Sequence, residues 1–274
     1  MQAGPSRRDR LLHKMILYLS DTGNTGWAAK AIAKATSDRL LFIPELIRSR
    51  QYEFTLAEGE RLGICFPVHG WRPPVIVREF IKCLNMTNAK GHYVYALCTA
   101  GDNIGETMDI LRDELKAKEL PLNASFSLVM PESYLGLPFF NVDNARKEKE
   151  KKEKAAAELK EYIQEIMDCQ AASHLVVGRW PRINSRLLGG FFEKYLITDK
   201  KFKVDSDRCV KCGICAEACP TKNIDGGKGL EPQWKHDGSC LACFACYHHC
   251  PKHAINYGSL TKNKGQYFFG RKND

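Results

Sequence analysis

The stretch that decides the organisation of this chain runs from Cys209 to Pro251, and it contains one pattern twice. Residues 209–220 read CVKCGICAEACP, and residues 240–251 read CLACFACYHHCP. Both runs have the spacing Cys-x2-Cys-x2-Cys-x3-Cys-Pro, and each cysteine of the first run has a counterpart 31 residues later. A constant offset indicates an internal repeat, not scattered thiols. The candidate metal ligands are Cys209, Cys212, Cys215 and Cys219 in the first run and Cys240, Cys243, Cys246 and Cys250 in the second.

The spacing favours iron–sulfur clusters over the other uses of cysteine. Four thiolates within eleven residues are typical of [4Fe–4S] ligation. A single zinc ion usually takes two Cys-x2-Cys pairs that lie about a dozen or more residues apart. A disulfide scaffold requires an oxidising compartment, and no secretory signal is recognisable at the start of the sequence. We therefore expect two [4Fe–4S] clusters, with zinc as the alternative.

In this doubled run, residues 204–257 resemble the bacterial two-cluster ferredoxins. The resemblance implies a small α+β domain in which the first three cysteines of each run hold one cluster and the fourth crosses to the other. On that pattern one cluster is bound by Cys209, Cys212, Cys215 and Cys250, and the other by Cys240, Cys243, Cys246 and Cys219.

The composition indicates a globular protein with room for a second domain. The chain has 274 residues, is 44% hydrophobic and carries a formal net charge of +9. No apolar run approaches the roughly twenty residues that a membrane helix needs, so we expect a cytoplasmic protein without a membrane partner. The basic balance suits an acidic redox partner protein or a nucleic acid, and the lack of a nucleic-acid motif favours the redox partner. The four remaining cysteines are interpreted as buried core thiols: Cys65, Cys83, Cys98 and Cys169.

A second candidate site follows the apolar segment MILYLS (residues 15–20). The sequence DTGNTG comes next, and then apolar residues recur with helical spacing. A strand, a loop rich in hydroxyls and glycine, and a helix can hold an anion, because backbone N–H groups point outward at the helix start. Taken alone, such a loop is more often an ordinary helix cap. The groups that could surround a phosphate monoester belong to Ser20, Thr22, Gly23, Asn24 and Thr25.

Apolar segments alternate with helical patterns through the first half of the chain. The predicted strands are residues 15–20, 40–46, 61–68, 91–100 and 123–130. Five such strands alternating with helices predict an α/β fold with a doubly wound parallel sheet. Its ligand is expected at the carboxyl ends of the strands, where the strand order reverses.

Three loops at those ends together resemble flavodoxin, over about residues 15–171. SDTGNT (20–25) matches the flavodoxin phosphate loop Ser/Thr-x-Thr-Gly-x-Thr, while FPVHGWRPP (66–74) and CTAGDN (98–103) stand where flavodoxins hold the flavin ring. The resemblance implies FMN and a five-stranded sheet of order 2-1-3-4-5. The ring-binding candidates are Pro67, Val68, His69, Gly70 and Trp71 in the second loop and Thr99, Ala100, Gly101, Asp102 and Asn103 in the third.

The roles of three residues in the second loop stay open. Trp71 could stack on the flavin or contact the ferredoxin-like part. His69 could donate a hydrogen bond or fill the turn. Gly70 permits the peptide rearrangement with which flavodoxins meet a protonated flavin N5.

These patterns divide the chain into five parts. Residues 1–14 are a disordered extension, 15–173 a flavodoxin-like FMN-binding domain, 174–203 an apolar interdomain linker, 204–258 the two-cluster domain and 259–274 a C-terminal tail. The tail contains QYFFG (266–270), which is expected to fold back on the interface between the domains. Six linker residues are expected to pack the two domains together: Leu187, Leu188, Phe191, Phe192, Tyr195 and Leu196.

The combination resembles the fused flavodoxin–ferredoxin proteins of anaerobic metabolism. Flavins accept one or two electrons and clusters accept one each. The first hypothesis is therefore an electron-transfer flavoprotein that relays single electrons between the clusters and FMN, with no catalytic residue assigned. Two alternatives stay open: an FMN-dependent enzyme that reduces a small substrate, and a cluster-bearing regulator that binds nucleic acid.

Overall fold

The computed structural model describes residues 14–88 and 90–271. Residues 1–13 of the predicted disordered extension and residues 272–274 of the predicted tail lie outside this range. The strands are β1 (Met15–Tyr18), β2 (Arg39–Phe42), β3 (Glu53–Phe54), β4 (Arg61–Pro67), β5 (Asn85–Met86), β6 (Tyr93–Ala100), β7 (Ala124–Val129), β8 (Ser173–His174), β9 (Phe202–Val204), β10 (Ile224–Gly227), β11 (Leu230–Trp234) and β12 (Ile255–Tyr257). The helices are α1 (Asn24–Thr36), α2 (Ile43–Arg48), α3 (Val75–Cys83), α4 (Thr107–Lys116), α5 (Ala145–Met167), α6 (Gly189–Phe191), α7 (Ile214–Ala218) and α8 (Ala245–His248).

The first half of the chain folds around a parallel sheet of order β2-β1-β4-β6-β7-β8. Its first five strands confirm the predicted order 2-1-3-4-5, which is that of the flavodoxin-like doubly wound fold. The short strand β8 pairs with β7 through two residues and adds a sixth position. Two residues are too few to leave an apolar pattern, so the sequence did not predict β8.

Helices cover both faces of this sheet, because its long strands are apolar on both sides. In β4, Leu62 and Ile64 pack toward α3 and α4, while Cys65 packs toward α1 and α5. The predicted strand 40–46 is wrong in its second half. Pro44 lies in the first turn of α2, where its missing N–H costs no hydrogen bond, so the strand ends at Phe42.

The second half of the chain forms small antiparallel pairs, β9 with β12 and β10 with β11. Positive φ angles recur at the repeat offset: Lys211 and Ala242, Gly213 and Phe244, Lys222 and His253. The internal repeat of the sequence is therefore also a repeat of backbone conformation. A separate core holds these elements together, and it includes Leu135 from the flavodoxin-like part.

The middle of the predicted linker is a continuous helix, which we call the linker helix (residues 181–196). Wide π-helical turns, Ile183–Leu188 and Phe192–Leu196, flank α6. Of the six linker residues expected at the domain interface, Phe192 is buried and Leu196 is half-buried. The expectation is wrong for the other four, which are exposed: Leu187, Leu188, Phe191 and Tyr195. The small residues Ser185 and Gly189 occupy the inner face of the helix and bring its backbone close to the loops at residues 70–72 and 105–106, so these large side chains point outward.

Two of the four cysteines outside the repeat are not core residues. Cys65 and Cys98 are buried in the sheet, as predicted, but Cys83 and Cys169 are exposed. Cys83 is the last residue of α3, and Cys169 follows the end of α5. Both cysteines lie where a helix ends, and at a helix end apolar spacing alone does not indicate burial. Among the described residues, no helix is long and apolar enough to cross a membrane.

Candidate cofactor sites

The first predicted loop turns its polar groups toward the start of α1. Thr22, Asn24 and Thr25 are buried, and no side chain caps the helix at Gly23. Ser20 Oγ accepts a hydrogen bond from Gly26 N at 3.0 Å. The Thr25 hydroxyl lies 2.8 Å from that of Thr99 in the third loop. Ser20 therefore serves the N–H of Gly26, and an anion can meet the other N–H groups at such a buried helix start.

The three predicted loops enclose one cavity of about 230 Å³, which we call the loop cavity. Thr22, Asn24 and Thr25 line it, together with every candidate from the second and third loops. Ser20 and Gly23 do not. The structure thus brings together residues that are far apart in sequence, because β1, β4 and β6 are neighbours whose carboxyl ends meet at one edge of the sheet.

Other residues of the loop cavity were not predicted. The loop after β7 contributes a wall, and it could have been found because β7 ends at the same edge of the sheet. Residues 241–243 come from the second cysteine run, and no sequence signal placed them here. The additional lining residues are Asp21, Pro131, Glu132, Ser133, Tyr134, Leu137, Phe140, Phe192, Leu241, Ala242 and Cys243.

A tight turn at residues 69–72 forms one rim of the cavity. His69 N donates to Arg72 O at 3.0 Å, and Arg72 N donates to His69 O at 3.2 Å. Gly70 and Trp71 both have positive φ angles, 56° and 59°, as a type I′ turn requires. Positive φ is uncommon for a large residue such as tryptophan. The closed turn fixes Trp71 at the cavity wall.

His69 does not merely fill this turn, because it pairs with Asp21 of the first loop. His69 Nε2 lies 2.7 Å from Asp21 Oδ2, and their side chains are 10% and 7% exposed. The other oxygen, Asp21 Oδ1, is buried without a hydrogen-bond partner among the described residues, and so is Asn103 Oδ1. Buried polar atoms are normally satisfied. Two lone acceptors at the wall of one cavity therefore fit a bound ligand that offers hydrogen-bond donors.

Carboxylates organise the wall after β7. Glu132 Oε1 accepts hydrogen bonds from Ser133 N and Tyr134 N at 2.9 and 2.8 Å, while burial raises the pKa of its carboxyl above the usual value. Asp143 accepts from Lys151 Nζ at 2.6 Å and from Lys147 Nζ at 2.8 Å. Burial alone would raise the pKa of Asp143, but the hydrogen bonds from the two lysines outweigh it and lower the pKa.

The eight cysteines of the repeat line two smaller cavities of about 20 Å³ each. We call the four cysteines of the first cavity the distal cysteine set and the four of the second cavity the proximal cysteine set. Distal and proximal refer to the loop cavity, which only the second set borders. The structure brings together the crossed groups that the ferredoxin resemblance implies. The distal set is Cys209, Cys212, Cys215 and Cys250. The proximal set is Cys219, Cys240, Cys243 and Cys246.

The surroundings of these thiols fit iron–sulfur clusters. Cys219, Cys240 and Cys250 accept backbone N–H bonds at 3.2–3.3 Å, the kind of contact that tunes cluster potentials. Burial raises the pKa of the Cys240 thiol to about 12, so a thiolate there needs a metal partner. Within the described ranges, no three His, Cys, Asp or Glu side chains converge on a single ion.

The proximal set shares a wall with the loop cavity. Leu241 and Cys243 line both cavities, whereas no residue of the distal set lines the loop cavity. Aromatic rings continue along this wall. The ring centroids of Phe192 and Tyr134 are 5.2 Å apart, and those of Tyr134 and Phe244 are 5.5 Å apart. The linker helix, the flavodoxin-like part and the second cysteine run therefore meet at one place.

The C-terminal segment folds back on the first loop. Tyr267 Oη donates to Asn24 Oδ1 at 2.5 Å, and Phe269 N donates to Thr22 O at 2.8 Å. Asn24 is thereby held from two sides, because its Nδ2 also donates to Pro131 O. The sequence predicted that the aromatic tail lies at the domain interface, but it did not predict this contact with the first loop.

Comparisons with known proteins identify the cysteine-rich part most directly. Residues 201–251 match the family described as a 4Fe-4S dicluster domain. An uncharacterized protein of Methanocaldococcus jannaschii is 32% identical over 68 residues, which are 23% of this chain and 23% of that protein. This chain therefore matches less than a quarter of that relative's length.

Two solved flavodoxins are similar to the first part of the chain. The two-electron reduced flavodoxin of Megasphaera elsdenii is 19% identical with a TM-score of 0.32, over 42% of this chain and 85% of its own. A flavodoxin from the domain Archaea is 15% identical with a TM-score of 0.32, over 56% of this chain and 99% of its own. The strand order of the sheet shows the flavodoxin-like fold by itself. The chain therefore joins a fold of flavodoxin-like strand order to a region that matches a 4Fe-4S dicluster domain.

Proposed function

We propose that this protein binds FMN and two [4Fe–4S] clusters and relays single electrons between them. The observation that carries the proposal is the shared wall, in which Cys243 lines both the proximal cysteine cavity and the loop cavity. Electron tunnelling falls steeply with distance. A common wall therefore supports transfer within one molecule, at a rate independent of protein concentration.

The proposal assigns different residues of the loop cavity to the phosphate and to the ring of FMN. FMN supplies one- and two-electron redox chemistry when bound, and each cluster supplies one-electron chemistry. The buried hydroxyls of Thr22 and Thr25 and the open start of α1 would hold the phosphate, where backbone N–H groups and the helix dipole favour an anion. Residues 67–71 and 99–103 would hold the ring. The rings of Tyr134 and Phe192 keep water out of the wall toward the cysteines.

The cysteines divide between a cluster beside the flavin and a cluster away from it. The proximal set would bind the first and the distal set the second, with Cys219 and Cys250 crossing between the runs. This assignment is supported by the two cavities and by the backbone N–H bonds to sulfur.

Cofactor content tests the proposal at its base. The protein purified under anaerobic conditions and reconstituted should contain about eight iron atoms and about eight acid-labile sulfides per chain, together with one FMN. Absorbance spectra with iron, sulfide and flavin assays measure this. Zinc in place of iron, or FAD in place of FMN, would contradict it.

The phosphate assignment is tested by Thr22→Val combined with Thr25→Val. Each unsatisfied phosphate contact should weaken FMN binding by about 1–3 kcal/mol, as titration of flavin fluorescence would measure. Thr36→Val is the matched control, because Thr36 is buried at the far end of the same helix and donates to Ile32 O. Unchanged FMN affinity in the double variant would show that the loop does not hold the phosphate.

One observation favours the FMN-dependent reduction of a small substrate as a second candidate function. The buried His69–Asp21 pair at the cavity wall could hold a proton for such a reaction. A small acceptor that reoxidises the reduced protein catalytically, and does so more slowly in His69→Gln, would favour this candidate over a pure relay.

A further inference from the structure

The linker helix exposes a run of large apolar side chains, which we call the outer stripe. Each is between 45% and 69% exposed, and their spacing of mostly three or four residues places them on one side of the helix. Large contiguous apolar patches are rare on monomeric proteins and mark interaction sites. The outer stripe consists of Trp180, Ile183, Leu187, Leu188, Phe191 and Tyr195.

The inner face of the same helix is fully engaged, so the stripe cannot turn inward. Ser185 Oγ donates to Trp71 O at 2.7 Å and accepts from Glu106 N at 2.7 Å. A Cβ at Gly189 would collide with the Gly70 carbonyl oxygen, so the two backbones touch.

Ion pairs hold the C-terminal end of the linker helix in place. Glu193 accepts from Arg72 at 3.1 Å and from Arg78 at 3.4 Å. Beside it, Phe192 lines the loop cavity. The helix is therefore fastened to the rim of the cavity, and its exposed stripe is a fixed surface.

The charges displayed beside the stripe are positive. The side chains of Arg182 and Arg186 are 83% and 73% exposed, while their partner Glu106 is only 12% exposed behind them. The Arg179 guanidinium lies over the Trp180 ring at 5.5 Å. A surface of exposed aromatic rings and guanidinium groups has the composition of protein–protein hot spots.

We propose that the outer stripe is the docking surface for an acidic protein that carries single electrons. The inference rests on the proposed function, because it places the carrier one helix away from the loop cavity. Planar guanidinium groups pair with carboxylates through two parallel hydrogen bonds, which favours an acidic protein. In each encounter the carrier is oxidised by one electron and this protein is reduced by one, and no covalent bond changes.

The experiment uses the full-length protein loaded with its cofactors and, as the probe, a purified acidic two-cluster ferredoxin. Calorimetry at low and at high salt gives the dissociation constant. Leu187→Ser combined with Phe191→Ser should weaken binding at least about tenfold. Arg182→Glu combined with Lys194→Glu should weaken it at low salt and reduce its salt dependence. All four positions are exposed, so the variants should keep the parent's thermal melting temperature.

Leu230→Ser is the matched control, since Leu230 is 63% exposed and lines the distal cysteine cavity. It should bind the ferredoxin as the parent does. If Leu230→Ser weakens binding and the Leu187/Phe191 variant does not, the carrier docks at the distal cysteines and the proposal is overturned. Equal affinity of the parent and the Leu187/Phe191 variant overturns it as well.

Two further measurements test whether a membrane or a second copy of the chain occupies the outer stripe instead. Sedimentation with vesicles of phosphatidylglycerol and phosphatidylcholine would overturn the proposal if the parent pellets and the Leu187/Phe191 variant does not. A dimer in analytical ultracentrifugation that this variant abolishes would overturn it in favour of a second copy of the chain. Iron, sulfide and flavin are assayed in every sample, so missing cofactors contradict the proposed function, whereas lost docking in loaded protein contradicts only this inference.

Discussion

Asp143 joins three segments around the loop cavity through one carboxylate. Its Oδ2 accepts from Glu132 N at 3.0 Å and from Lys151 Nζ. The same lysine reaches Gly101 O in the third loop at 2.7 Å. The Asp143 side chain, which is 5% exposed, thus connects the wall after β7 to α5, and through Lys151 it also connects both to the third loop. Residues that touch no cofactor can therefore set the shape of the cavity.

Asp143→Asn should lower the free energy of unfolding by about 1–3 kcal/mol at neutral pH, because it leaves Lys151 without its charged partner. The pKa of Asp143 is lowered in the folded protein. Its contribution to stability is therefore complete above the ordinary value of 3.8 and is lost as the pH falls toward the lower folded pKa. The difference in urea midpoint between parent and variant should shrink across that acidic window.

Asp109→Asn serves as the control for this measurement. Asp109 pairs with Arg112 at 2.6 Å, but the two side chains are 65% and 42% exposed. Exposed pairs contribute at most about 1 kcal/mol. An equal loss in both variants at neutral pH would mean that the Asp143 contacts do not stabilise the fold.

At the scale of elements, the linker helix has two faces with different roles. Phe192 packs against Gly70 and the Tyr134 ring, whereas its neighbour Phe191 is 54% exposed. The apolar composition of residues 187–196 suggested a packed segment, but four of its six large apolar side chains are exposed. The composition could not show which residues point inward, because the π-helical turns shift the spacing away from the α-helical period and because Ser185 and Gly189 take the inner positions.

Phe192→Ser should destabilise the protein by about 3 kcal/mol, since it opens a void between the linker helix and the cavity wall. It should also slow electron transfer between the clusters and FMN, because the wall that holds them together loosens. Rapid mixing with a reductant of the clusters, followed by flavin absorbance, measures the transfer rate. Phe191→Ser is the matched control and should change stability by no more than about 0.5 kcal/mol. Equal transfer rates in both variants would contradict a role of Phe192 in the relay.

At the scale of the whole molecule, the two cysteine runs are interlocked by their fourth members. Cys219→Ala should therefore damage the cluster of the proximal set and spare that of the distal set, with a loss of about four iron atoms. Cys250→Ala should do the reverse. Paramagnetic resonance of the reduced protein distinguishes the two signals. Loss of the distal signal in Cys219→Ala would mean that each run binds its own cluster.

The sequence predicted what depends on local patterns and missed what depends on contacts between distant parts. The cysteine spacing and the alternation of strands and helices are local, so the repeat and the doubly wound sheet followed from them. The resemblance to flavodoxin supplied the strand order and most of the predicted residues of the loop cavity. The pairing of Asp21 with His69 joins two loops that are 48 positions apart in the chain. The approach of Cys243 to the loop cavity depends on how the two domains pack. Tyr267 and Asn24 are 243 positions apart in the chain, and no periodicity connects them.

That last contact bears on how the protein matures in the cell. The ribosome makes Asn24 early, but the tyrosine that holds its side chain emerges only after both cysteine runs. His248, between two cysteines of the second run, accepts from Tyr267 N at 3.1 Å and thereby positions the segment that returns to the first loop. Under the proposed function, loss of the iron centres would loosen the second cysteine run and with it the segment that returns to the first loop. A cell starved of iron should accumulate this protein without its flavin as well, even when the vitamin from which flavin is made is plentiful.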